Sequence, residues 1–132
     1  MEGYKRRIMD TLLEKKLQAK GAVLIEGPKW CGKTTTAEEI AESKIMLSKP
    51  DIKEHFKSLL EIDTDAALAG EAPMLIDEWQ TVPKLWDAVR YTVDHRHQMG
   101  QFILTGSAVP DKEAEKEREH SGTGRFAWLT MR

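Results

Sequence analysis

The segment that most restricts how this chain can fold is the octapeptide Gly27-Pro28-Lys29-Trp30-Cys31-Gly32-Lys33-Thr34. It lies between a short apolar run, Ala22 to Ile25, and a stretch of helix formers, Thr34 to Glu42. An apolar run without polar alternation fits a strand buried on both faces. The octapeptide follows the pattern GxxxxGK[ST] without a departure, in the strand-to-helix setting that its mechanism requires. Gly27 and Gly32 let the backbone curl so that successive N–H groups point at phosphate oxygens, and the helix that follows adds its positive N-terminal end. Lys33 is expected to reach the β- and γ-phosphates, and the Thr34 hydroxyl to ligate magnesium. The whole octapeptide, with Thr35 after it, forms the expected phosphate-binding set. Cys31 reads as a small residue in a tight loop, and redox control through its thiol is the weaker alternative.

A second signal lies downstream. Met74-Leu75-Ile76 is another buried apolar run, and it ends on Asp77 and Glu78. Beside a phosphate loop, this is the arrangement of a Walker B element. Asp77 is expected to hold the metal, and Glu78 to orient and polarise the attacking water as general base. A third run, Phe102 to Leu104, closes on Thr105, Gly106 and Ser107. For Thr105 and Ser107 two readings stand: hydroxyls at a strand end that sense the γ-phosphate or position the water, or turn residues that cap their own backbone. Arg125, after Gly122 and Gly124, is a candidate to reach a phosphate of its own site or a neighbour's. Trp79 and Trp86 are explained better by packing than by base stacking. His95 and His97, two apart on a helix, face different sides and do not form a shared metal site.

Between these signals the chain alternates strand and helix patterns. A helix is expected from about residue 4 to 19 on the stripe Tyr4, Ile8, Leu12 and Leu13, with Leu17 near the edge of that stripe and Gly21 at the C-cap. Residues 44 to 47 suit an edge strand. Pro50 and Asp51 suit a stop and N-cap before a helix carrying Ile52, Phe56, Leu59 and Leu60. Leu85, Trp86, Val89 and Val93 mark a helix ending near Gly100, and residues 126 to 131 a last strand. Asp111 to His120 is almost entirely charged, which predicts a solvated loop or frayed helix. The alternation implies an α/β fold with a mostly parallel sheet and helices on both faces, its ligands at the carboxyl ends of the strands.

The size of the chain, 132 residues, suits one domain, and its composition is that of a folded globular protein. A net charge of -2 gives no general attraction to nucleic acid. No membrane span or signal peptide is evident, and with a single cysteine a cytoplasmic location is expected.

Together, GPKWCGKTTTAE at 27 to 38, LIDEWQ at 75 to 80, LWDAVR at 85 to 90, GQFILTGSA at 100 to 108 and HSGTGRFA at 120 to 127 resemble bacterial and archaeal predicted ATPases of the AAA-like P-loop type. Full-length members of that group continue into a C-terminal domain of unknown function, whereas this chain stops at Arg132. The resemblance implies a three-layer αβα sandwich with strand order 5-1-4-3-2. It places Lys33 and Thr34 on Walker A, Asp77 and Glu78 on Walker B, Thr105 and Ser107 near the first sensor, and Arg125 where an arginine finger or sensor is sought. The choice of ATP over a guanine nucleotide also follows from it. The expected function is magnesium-dependent ATP hydrolysis that drives a conformational change, with a homo-oligomer or protein partner. The alternative is a nucleotide-dependent protein- or DNA-binding module that holds ATP or ADP with little turnover.

Overall fold

A computed structural model describes residues 2–27, 33–106 and 125–130. Five parallel strands form one sheet: β1 (Ala22–Glu26), β2 (Ser43–Met46), β3 (Met74–Asp77), β4 (Phe102–Gly106) and β5 (Phe126–Thr130). Their spatial order is β2-β3-β4-β1-β5, which is the expected 5-1-4-3-2 order read from the other edge. The helices are α1 (Glu2–Ala19), α2 (Lys33–Ile40), α3 (Pro50–Ile62), α4 (Thr64–Ala67) and α5 (Lys84–Arg96), with a short 3-10 turn at Trp79–Thr81.

Alternation along each strand divides the apolar side chains between two cores. Val23, Ile25, Leu75, Ile103 and Leu129 pack with Leu13 and Leu17 of α1 and Ala37 of α2. Ala22, Leu24, Met74, Ile76, Phe102, Leu104 and Phe126 pack on the other face with Phe56 and Leu60 of α3, Ala67 of α4, and Leu85, Trp86, Val89 and Val93 of α5. The result is an αβα sandwich. Because β1, β3 and β4 are covered on both faces, they read as continuous apolar runs rather than alternating ones.

Several local expectations shift. Among the described side chains of α1, Leu13 and Leu17 are buried while Ile8 and Leu12 stay 43% and 38% exposed, so the inward stripe is rotated toward the Leu17 edge of the expected one. Gly21 is not a left-handed cap: a Cβ there would lie 2.2 Å from Val93 Cγ1, so it is the close approach of α5 that requires glycine. Lys49 is the N-cap of α3, with Pro50 in the first turn, where a missing N–H costs nothing, and Asp51 just inside. Helix α5 stops at Arg96, with His97 in the left-handed conformation (φ 53°) donating its N–H to Val93 O. The charged stretch Asp111 to His120 lies outside the described residues.

Candidate functional site

The sheet itself delivers the site residues to one edge. In register, Asp77 at the end of β3 lies opposite Thr105 of β4, and Thr105 lies opposite Ile25 of β1, one strand residue before Glu26 and two before Gly27. The Gly27 N–H donates to Gly106 O at 3.3 Å, which ties the root of the phosphate loop to the end of β4. Helix α2 begins at Lys33 and brings Thr34 back over the same edge.

Three segments meet there on one oxygen. Asp77 is 5% exposed, and its Oδ1 accepts from Thr34 Oγ1 at 2.9 Å and from Thr105 Oγ1 at 2.5 Å. Thr105 is fully buried, and its hydroxyl donates to Asp77, so in this structure it orients that carboxylate rather than capping its own turn. A threonine hydroxyl that donates its proton to a carboxylate still has lone pairs to offer elsewhere. Carboxylate plus hydroxyl oxygen is also the hard donor set that magnesium takes alongside phosphate oxygens. The residues present therefore fit the expected metal.

Glu78 follows in a left-handed conformation, φ 56° and ψ 49°, which non-glycine residues adopt at a cost of about 1–2 kcal/mol. That kink turns the chain directly from β3 into the 3-10 turn. The turn is closed by Thr81 N–H to Glu78 O at 3.1 Å and Thr81 Oγ1 to the same oxygen at 2.9 Å. Gln80 Nε2 donates to Glu78 Oε2 at 2.5 Å, a contact that sequence reasoning missed. Its only signal was a long polar side chain two residues after Glu78, in Trp79-Gln80-Thr81. The tryptophans are packing residues: Trp86 stacks on Phe126 at 4.1 Å between centroids and meets Trp79 at 5.3 Å, and this floor supports the turn that carries Glu78.

The expected site residues thus divide. Thr34, Asp77, Glu78 and Thr105 come together, and Gly27 starts the loop beside them. Thr35 is exposed, whereas its neighbour Thr36 is only 2% exposed. Pro28, Lys29, Trp30, Cys31, Gly32 and Ser107, and the side chain of Lys33, lie outside what is described. Arg125 is not brought to this edge. It precedes β5, its carbonyl accepts from Ala22 N–H at 3.2 Å, and its Nε donates to Asp94 Oδ1 at 2.7 Å. Four strand residues, roughly 13 Å, separate that end of β1 from the end that leads into the phosphate loop. Through Asp94, Arg125 ties the start of β5 to α5 at the amino edge.

A parallel five-stranded sheet of this order, with the phosphate-loop sequence leaving β1 and a buried acid on β3, defines a P-loop nucleotide-binding domain of ATPase type. The chain belongs to the AAA domain family (AAA_14), whose sequence model matches residues 19–132. Over 107 residues it is 31% identical to the uncharacterized proteins Rv2008c of Mycobacterium tuberculosis and Mb2031c of Mycobacterium bovis. Each match covers 80% of this chain and 24% of the relative, so the chain spans about a quarter of the length of these curated relatives. The crystal structure of the DnaC helicase loader is similar in fold, with a TM-score of 0.52 at 12% identity over 98% of this chain and 87% of that one. No described helix is long and apolar enough to cross a membrane.

Proposed function

We propose that this chain binds ATP with magnesium and hydrolyses it, and that the change of nucleotide state drives a conformational change in an attached or partner domain. The observation that carries the reading is the meeting of the phosphate-loop hydroxyl of Thr34 with the buried carboxylate of Asp77 at 2.9 Å. Magnesium, when bound, offsets charge on the β- and γ-phosphate oxygens. Thr34 and Asp77 would hold it, and Thr105 keeps Asp77 aimed. The backbone of the loop from Gly27 cradles the phosphates, and Lys33 binds their outer oxygens.

Glu78 acts on the water. Its carboxylate accepts a proton as the water oxygen bonds to the γ-phosphorus, and the bond to the bridging oxygen breaks, releasing ADP and phosphate. The rigid turn from Asp77 to Thr81 supports this role because it fixes the carboxylate one residue beyond the metal-binding acid.

Phosphate release and ATP binding, measured side by side on the purified chain, test the proposal. Glu78→Gln should retain ATP affinity and lower turnover by about a hundredfold or more, whereas Lys33→Ala should weaken binding itself. Unchanged turnover in Glu78→Gln would remove the mechanism. Binding without turnover in the unmodified chain would favour a nucleotide-dependent binding module instead.

A further inference from the structure

The Glu78 carboxylate does not stand at the strand end unsupported. The left-handed backbone at Glu78 and the 3-10 turn after it bring the side chain two residues on back to the first, so that Gln80 Nε2 reaches Glu78 Oε2 at 2.5 Å. The amide can face the carboxylate in one sense only, because turning it over would set its carbonyl oxygen against a carboxylate oxygen. In this orientation Gln80 Oε1 is buried and accepts no hydrogen bond, a desolvation cost that the amide bears while it bonds to Glu78. The surroundings are shaped to admit it. A Cβ on Gly106 would lie 2.8 Å from Gln80 Oε1 and 2.9 Å from Trp79 Nε1, so any larger residue would displace the amide or the indole. The carbonyl of the same glycine accepts from Gly27 N–H at 3.3 Å, so Gly106 braces both the amide on the base and the root of the phosphate loop.

We propose that Gln80 is the positioning residue of Glu78: its amide, seated in the space that Gly106 leaves open, holds the carboxylate in the orientation from which it takes the proton of the attacking water. This rests on the reading of Glu78 as general base. In this role Gln80 acts through Glu78, the partner of its side-chain amide. Ground-state nucleotide binding is therefore indifferent to it, while the hydrolytic step is not.

The test uses the full chain and the variants Gln80→Met, which keeps the volume but removes the amide, Gly106→Ala, which crowds it, and Glu78→Gln. In Gln80→Met, kcat should fall about ten- to a hundredfold, with KM for ATP within about twofold and thermal stability preserved. Gly106→Ala should lower kcat as well, but with some loss of stability, because its Cβ also presses on the Trp79 indole. An unchanged kcat in Gln80→Met, beside a large loss in Glu78→Gln, would overturn the role of Gln80 and leave the hydrolytic reading standing. Full turnover in Glu78→Gln would remove both. A readout independent of turnover is the NMR signal of the Gln80 side-chain amide, which should be displaced from that of exposed amides and should return toward it in Glu78→Ala. An amide signal that does not respond to Glu78→Ala would also overturn the proposal.

Discussion

At the carboxyl edge of the sheet, one buried oxygen of Asp77 accepts from Thr34 and Thr105, so neutral hydroxyls from α2 and β4 orient an acid on β3. At the amino edge, charged groups close on charge or on carbonyls. Arg125 pairs with Asp94 at 2.7 Å, and Arg96 of α5 donates to Leu68 O at 2.9 Å and to Gln101 Oε1 at 3.2 Å, with its guanidinium over the Phe102 ring. The contrast separates two uses of polar side chains. Hydroxyls direct a carboxylate without neutralising it, which suits binding a cation. Arginines at the opposite edge satisfy carbonyls and an acid, and this suits fastening helices to strands.

Removing the acid should break the contrast most severely. Asp77→Ala deletes the carboxylate proposed to hold the metal and leaves the Thr105 hydroxyl buried without its acceptor, so phosphate release should fall by about a hundredfold or more. Thr105→Val is a milder cut at the same oxygen. It should lower turnover about tenfold and stability to urea by roughly 1–2 kcal/mol, since a buried carboxylate loses one donor. If the valine variant turns over normally, Thr105 is a packing residue and the carboxyl edge is less specialised than drawn.

At the amino edge the order of effects should reverse. Arg96→Ala should lower urea stability by about 1.5–3 kcal/mol, because it removes a guanidinium bonded to two carbonyl oxygens, yet leave turnover within about twofold. Arg125→Ala should do least. Its pair with Asp94 has side chains 35% and 43% exposed, so salt and water screen it, and less than about 1 kcal/mol of stability is at stake. Turnover at dilute protein concentration should again stay within about twofold. A large loss in Arg125→Ala would show that it serves the site of a neighbouring copy.

What could be read from the sequence follows the same division. The apolar runs, the octapeptide and the acid at the end of β3 are local signals, and strands covered on both faces left little choice of fold. The bond between Thr34 and Asp77 was foreseeable from the chemistry of the pattern. The destination of the Thr105 hydroxyl was not, because it depends on the register of β3 against β4. Gln80 escaped notice for a related reason: its reach to Glu78 requires a left-handed residue, and nothing in the side chain of a glutamate announces one. Arg125 teaches a different lesson. In a parallel sheet a residue that precedes a strand lies at the amino edge, so strand direction places Arg125 at the opposite end of β1 from the phosphate loop, which neither its glycine-flanked setting nor the resemblance took into account.

The most direct test of the central claim is calorimetric binding of ATP to the unmodified chain and to Asp77→Asn, each with magnesium and with a chelator. Asparagine keeps the shape and removes the charge. The account predicts that magnesium tightens ATP binding to the unmodified chain by about tenfold or more, and that Asp77→Asn loses this gain while keeping its magnesium-free affinity. An equal gain from magnesium in both proteins, or none in either, would contradict it.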